Sequence, residues 1–422
     1  MRITAFSLGS YGDVMPFIIL GKELIKRGYD YNVATYENFK DKVIGEGVGY
    51  KKISGDAEEM VAVLLGNSNN GASEGMNGIS YLLNKYPKAY EDFYAACKES
   101  DLVIYMQFGA PAYHFAEKMG IPAIRSLVFP FEKTKKYCAI SETMRRDSLK
   151  CLFKNLMCKY FMIWAARGVM NEWRKRLGLK KQGLFSDYTK INGKRLLTLY
   201  QYDEVLARRD KKWKSNIKLT GNWIEIKYNA DKNELAEIEE FCKGEEKVVY
   251  VGFGSMNYSK LDDLYLRVLG VILKKTKAKV VLPNRIREKA YTQYGKDKER
   301  MAFIGFMPFE QLFPLVDVII HHGGNGTVHA ALRNKKPQLV MAFGADQMFW
   351  GGQCYYLNIG PAPINVKKPM KQEILEKRIT DLVTSKIYEE NSKRLSKKVS
   401  INGVKKAADI IERKYPLDKE KP

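Results

Sequence analysis

Short apolar runs alternate with stretches of helical periodicity from the first residue, and the alternation starts afresh past residue 217. Arg2–Leu8 reads as a strand, Val14–Lys26 as a helix ended by Arg27-Gly28, and Tyr29–Thr35 as the next strand. Leu102–Met106 and Ile121–Ile124 follow, with the helical stretch Ala110–Lys118 between them, and Lys194–Tyr200 is a late strand. In the second half an acidic helix, Glu234–Phe241, precedes strands at Lys247–Phe253, Lys279–Leu282, Met301–Ile304, Val316–His321 and Pro337–Ala342. Strands joined through helices lie parallel in a sheet covered on both faces. The fold class expected is therefore α/β, with two doubly wound Rossmann-like domains. Residues 1–217 form the first, 218–400 the second, and 401–416 a C-terminal helix packing back on the first. The Gly/Asn/Ser-rich stretch Leu65–Gly78 reads as a loop.

Composition removes several function classes. The chain is 45% hydrophobic and 28% charged, which suits a globular protein with a real core. No run approaches the roughly 18 uninterrupted apolar residues of a membrane span. The N-terminus enters a strand directly, without a secretory apolar segment, so a cytoplasmic location is expected. The six Cys are scattered and include no C-x-x-C, which argues against a disulfide framework or a zinc ribbon. The net charge of +23 is uneven: residues 132–215 hold 22 Lys/Arg against 8 Asp/Glu. Such an excess serves nucleic acid, an anionic membrane surface or a phosphorylated substrate, or it decorates solvated helix faces. No nucleic-acid-binding motif accompanies it, so no nucleic-acid partner is expected. Within it, Cys151–Arg176 interleaves bulky apolar and basic residues. That pattern fits peripheral contact with an anionic bilayer, or a core helix with a wet basic face.

Five turns carry the chemistry. Gly9–Pro16 (GSYGDVMP) puts Ser10, Gly12 and Asp13 between the first strand and first helix. Asp13 there either caps the helix or meets a ligand at the carboxyl edge of the sheet. Val318–Thr327 (VIIHHGGNGT) is the strongest signal: a strand ends in two His, then three Gly fall within four residues before a helix. Exposed amides at a helix start bind anions, and Gly lets a diphosphate come close. A neighbouring His can donate to a phosphate oxygen, whereas His329, inside the helix, reads as packed. No carboxylate or Cys stands at ligand spacing and the chain has no D-x-D pair, so no metal or cofactor is expected. Gly344–Trp350 (GADQMFW) sets Asp346 and Gln347 where they can hold vicinal hydroxyls or cap a loop. Gly252–Ser255 (GFGS) offers another phosphate-facing turn through Gly254 and Ser255. Phe306–Phe309 (FMPF) is a stacking shelf for a base, or core.

In this order the second-half motifs resemble the family 1 UDP-glycosyltransferases of the GT-B fold. GSYGDVMPF narrows the likeness to the branch of sterol glucosyltransferases and of glycopeptide and macrolide antibiotic glycosyltransferases. Met119–Pro122, Asn171–Leu179 and Asn402-Gly403-Val404 echo it, so the resemblance spans nearly the whole chain. It implies two domains facing across a cleft and an inverting, metal-independent transfer of a hexose. The donor would be a UDP-sugar, UDP-glucose before others and with TDP open, and the acceptor a hydroxyl of a sterol, lipid or natural-product aglycone. By resemblance Asp13 is the general base, and His322, Gly324, Asn325, Gly326, Thr327 and Ser255 hold the diphosphate. Phe306 and Pro308 take the base, and Asp346 and Gln347 the sugar; Ser10, Gly12 and Gly254 belong to the same nucleotide-sugar set. Phe108, Phe129 and Trp350, the last from the D-Q-x-x-W pattern, are expected to meet the acceptor. Asn325 departs from the Ala or Ser usual in close relatives, and the membrane-targeting modules of fungal sterol enzymes are not in this chain. A GT-B UDP-sugar epimerase is one alternative, and it would change the sugar without an acceptor. A basic nucleic-acid-binding protein is another, and a salt-dependent gel shift would reveal it.

Overall fold

The computed structural model describes residues 1–65, 81–137, 148–226, 229–254, 256 and 260–417. Ser255 and all of the Leu65–Gly78 stretch except Leu65 lie outside the described residues. Seven parallel strands make the first sheet: β1 (Arg2–Phe6), β2 (Asp30–Thr35), β3 (Gly49–Lys52), β4 (Leu102–Tyr105), β5 (Ala123–Leu127), β8 (Leu197–Tyr200) and β9 (Ile217–Leu219). A small hairpin, β6 (Lys190–Ile191) with β7 (Lys194–Arg195), precedes β8. The order across the sheet is β3-β2-β1-β4-β5-β8-β9. Six parallel strands make the second: β10 (Val248–Gly252), β11 (Lys279–Pro283), β12 (Met301–Ile304), β13 (Val318–His321), β14 (Gln338–Ala342) and β15 (Ile364–Asn365), in the order β12-β11-β10-β13-β14-β15. Each sheet therefore reverses its winding once, between β1 and β4 and between β10 and β13. The crevice at such a reversal is where open α/β sheets bind ligands.

The central strands are apolar on both faces because helices cover both. β4, β5, β13 and β14 are buried along their whole length. Helix Tyr11–Lys26 starts three residues earlier than its periodicity suggests. The Ser10 amide donates to the Asp13 carboxylate at 2.7 Å, a capping-box contact that draws residues 11–13 into the first turn. The first sheet continues to Leu219, and the chain crosses to the second lobe beyond it.

Two features fix the lobes against each other. One apolar cluster takes Phe131, Tyr200, Tyr202 and Trp213 from the first lobe and Val340, Phe349, Trp350 and Ile359 from the second. In addition, helix Gly403–Lys414 lays Val404, Ala407, Ala408 and Ile411 onto the core around Val14, Phe17 and Leu24. Arg27 clamps that helix through Asp409 at 2.7 Å and Glu412 at 2.9 Å. An apolar joint of this kind holds lobes in register, unlike a bare linker.

The basic segment is one 28-residue helix, Leu149–Arg176. Its inner side buries Ile163, Ala166, Val169, Met170 and Trp173. Its outer side is not purely basic, for Leu149 is 70% and Phe153 65% exposed, and Met157 and Trp164 are exposed too. Among the described residues, no helix is long and apolar enough to cross a membrane.

Candidate active site at the facing sheet edges

The loop after β1 is built around Asp13. The Ser10 amide and hydroxyl both donate to Oδ2, at 2.7 and 2.9 Å, while Oδ1 has no hydrogen bond among the described residues. Gly9 has φ +136°, and a Cβ there would stand 2.4 Å from Oδ2, so the turn admits only glycine. Gly12 does not make this turn. It sits exposed in the first helical turn, where a Cβ would make only ordinary contact with the Ser10 hydroxyl, at 3.7 Å. Burial holds the Asp13 carboxyl above its ordinary range, against the two Ser10 bonds that lower it.

The loop after β13 separates the adjacent histidines. His321 is wholly buried, its Nδ1 accepting from the Gly323 amide at 3.0 Å and its Nε2 donating to Gln338 Oε1 at 2.8 Å. His322 is different: its Nδ1 is buried without a partner. Burial pushes its pKa down to about 4, so the ring is neutral at pH 7. Gly254 and Gly324 flank it, and a Cβ on Gly324 would stand 2.4 Å from Nε2. Gly324 then opens helix Asn325–Arg333, which no side chain caps. The first-turn amides of Asn325, Gly326 and Thr327 are thus of the kind that helix starts leave for an anion. Gly326 is exposed and Thr327 buried.

Asn325 and His329 work across the lobes. Asn325 Nδ2 donates to the Gln201 carbonyl at 2.9 Å. His329 Nε2 accepts from the Asp203 amide at 2.9 Å, and its Nδ1 bonds the Asn325 carbonyl at 2.7 Å. The diphosphate-type loop is therefore tied to the first lobe by two hydrogen bonds, which no local sequence signal reveals.

Asp346 and Gln347 open helix Ala345–Tyr356 after β14. Gln347 is the capping member: its Oε1 accepts from the amides of Phe343 at 2.6 Å and Gly344 at 3.2 Å. Among the described residues, its Nε2 donates to Met256 Sδ, at 3.6 Å. The Asp346 carboxyl is pushed up to about 6, first by burial and then by the negative charge of Asp13. The two carboxyls, one from each lobe, therefore lie within electrostatic reach of each other.

Phe306, 76% exposed, projects at the carboxyl end of β12, with Pro308 starting the next helical turn. β12 stands three strand positions from β13, about 14 Å at the usual strand spacing.

Of the three aromatic residues expected to meet the acceptor, Trp350 is wholly buried and Phe108 and Phe129 are half-buried. Trp350 is wholly buried in the joint between the lobes, edge-on to Tyr202 at 5.5 Å and His329 at 5.6 Å. Phe129 packs on Phe131 and Phe349 in that same joint, and Phe108 is wedged between the two cores of the first lobe. The first-lobe cavity is lined instead by their loop neighbours Gln107, Ala110 and Phe131, by Ile163, Ala166 and Met170 of the long helix, and by Tyr188. The segments that carry Phe108 and Phe129 thus contribute to the cavity through neighbouring residues.

Comparison with known proteins agrees with this architecture. Residues 277–406 match the family model described as the erythromycin biosynthesis protein CIII-like C-terminal domain. The sterol 3-beta-glucosyltransferase of Candida albicans is 28% identical over 97% of this chain, and that of Saccharomyces cerevisiae 27% over 96%. The aligned parts are 27% and 34% of those proteins, so the chain spans about a third of their length or less. Among solved structures, the glycosyltransferase of kitacinnamycin superposes with a TM-score of 0.69 at 18% identity, covering 98% of this chain and 99% of that one. The calicheamicin glycosyltransferase CalG4 gives 0.68 at 15% identity, covering 98% of each. The Streptomyces glycosyltransferase SsfS6, complexed with thymidine diphosphate, gives 0.61 at 16% identity, covering 98% and 99%. In fold throughout and in sequence over nearly its whole length, this chain is similar to the family 1, GT-B glycosyltransferases of the sterol and antibiotic branch.

Proposed function

We propose that this chain is an inverting glycosyltransferase that moves a hexose from a nucleotide sugar, UDP-glucose before a TDP-sugar, to a hydroxyl of a hydrophobic small molecule. The observation that carries the reading is the Asp13 carboxyl at the carboxyl end of β1, within electrostatic reach of Asp346, whose helix start packs against the Gly323 turn of the His322 loop. The acceptor hydroxyl gives its proton to Asp13 as its oxygen bonds the anomeric carbon. The bond from that carbon to the diphosphate oxygen breaks on the opposite face. A carboxylate lifted above its ordinary range is a stronger base, and such a base is worth about 10²–10⁴ in rate.

The departing diphosphate gains charge. The amides opening helix Asn325–Arg333 and an N–H of neutral His322 are fixed before the reaction, and fixed donors stabilise such charge best. They need no bridging cation, and the chain lacks the D-x-D pair that would hold one. Asp346 receives sugar hydroxyls, with Gln347 holding the turn beneath it. Phe306 stacks on the base, three strands from the phosphates. Trp350 has no part in acceptor contact.

The test is Asp13→Asn. Transfer from UDP-glucose should fall at least 10²-fold while UDP affinity, read by calorimetry, stays within about twofold. Normal turnover by the Asn variant would sink the assignment.

The exposed Leu149, Phe153, Met157 and Trp164, set among lysines of the long helix, support peripheral contact with an anionic bilayer. Co-sedimentation with anionic but not neutral liposomes is expected, and no pelleting with either removes the idea.

A further inference from the structure

The first-lobe cavity is apolar on much of its wall, but its polar groups are unevenly matched. Arg125, on β5, is 5% exposed. Its Nη2 serves Glu132 and, at 3.3 Å, Thr198, while its Nε is buried with no partner. The Tyr188 hydroxyl is likewise buried and unpartnered, and burial pushes its pKa up to about 12, so it keeps its proton. His114 stands 5.2 Å from the Tyr188 ring. Its Nδ1 accepts from Arg174 at 3.0 Å, which leaves the ring proton on Nε2.

The acceptors nearby are already engaged. Asp187 Oδ1 takes the Thr189 hydroxyl at 2.6 Å, and its Oδ2 lies 3.6 Å from Lys159. Glu132 takes Arg125 through Oε1 and faces Lys159 through Oε2 at 3.9 Å. Both nearby carboxylates are thus engaged, while two buried donors, Arg125 Nε and the Tyr188 hydroxyl, are left over. A buried donor without a partner is destabilising, so a cavity keeping two of them is shaped for something that accepts.

We propose that the acceptor substrate carries a second oxygen function, apart from the hydroxyl that is glycosylated, and docks it against Arg125 Nε and the Tyr188 hydroxyl. This rests on the transferase reading above. β5 lies two strand positions from β1, about 10 Å across the sheet, so the second oxygen docks apart from the reacting hydroxyl beside Asp13. The substrate is an amphiphile with an apolar body and an oxygen at each end, rather than a sterol with a plain alkyl tail. A site built to hydrogen-bond a substrate group rejects the analogue lacking it, because its own donors are then stranded.

Three 3β-hydroxysteroid probes that share one ring system decide the matter, with an alkyl, a ketone-bearing or a carboxylate-bearing side chain. Their affinities for the full chain are measured without nucleotide by tryptophan fluorescence. Transfer from UDP-glucose is measured separately. At least one oxygenated probe should bind tenfold or more tighter than the alkyl probe. That advantage should shrink to about twofold in Tyr188→Phe and in Arg125→Lys, with UDP affinity and circular dichroism unchanged. The Lys variant keeps the charge but has no Nε–H. Preference for the carboxylate over the ketone makes the second group anionic, and the reverse makes it neutral; both support the proposal. Equal affinities, including no measurable binding of any probe, overturn it, as does a preference that survives both substitutions. Transfer without the preference defeats this inference alone, whereas the preference without transfer defeats the transferase reading.

Discussion

The carboxyl edges of the two sheets are built in opposite ways. On the second, each group comes from a turn of a few residues directly after a strand: Gly254 after β10, Phe306 after β12, His322–Thr327 after β13 and Asp346 after β14. What those turns offer is backbone amides and the space left by glycine. On the first, only the Asp13 turn is local. The cavity joins the ends of β4 and β5 to a 28-residue helix and to Tyr188, whose carbonyl bonds Tyr105 from 83 residues away. A nucleotide diphosphate can be gripped by main chain, which any sequence supplies if glycine permits the approach. An individual acceptor needs side chains gathered by tertiary packing.

That contrast predicts that damage to the second edge is blind to the acceptor. His322→Ala should lower kcat by about 10²–10³, the usual effect of losing one preorganised donor, and by the same factor for two dissimilar acceptors. Steady-state rates with both acceptors check it. A loss that depends on the acceptor would break the division of labour between the edges. Because His322 titrates near 4, no part of the rate profile between pH 5 and 8 should belong to it.

The same contrast explains what the sequence discloses. The two α/β units and the turns after β1, β10, β13 and β14 are legible because strand, glycine turn and helix start are neighbours in the chain. The functions of Asn325 and Trp350 are not, since each depends on the other lobe. Asn325 looks like a change in a phosphate loop until Gln201, 124 residues away, is seen to accept its amide. Trp350 fits a motif, but whether its indole faces a ligand or Tyr202 is decided by packing between lobes. The two glycines of the first turn are equivalent on paper, and only the approach of the Asp13 carboxylate singles out Gly9. Arg125, Tyr188 and His114 carry no spacing that could have grouped them.

The joint itself supplies a middle-sized test. His329→Phe keeps a ring of similar bulk but strands the buried Asp203 amide, which should cost about 1–3 kcal/mol. Urea unfolding of the whole chain reads this directly. An unchanged midpoint and slope would mean that His329 is not part of what holds the lobes together, and the loop after β13 would then be as local as its sequence suggests.

The smallest effect is the most direct test of whether the two edges meet. The Asp346 carboxyl is raised to about 6, by burial first and by Asp13 second. A carboxyl raised in the folded state adds stability that is fully present below the ordinary Asp value, about 3.9, and is lost as pH rises through 6. Asp13→Asn removes one negative charge from the facing edge and leaves the burial in place. The Asp346 titration should therefore move below 6 but stop short of the ordinary value, as read from its carboxyl-carbon resonance with Asp346→Asn as the assignment control. An unmoved titration would mean that Asp13 is not at the gap, and the acceptor hydroxyl would have to find its base elsewhere.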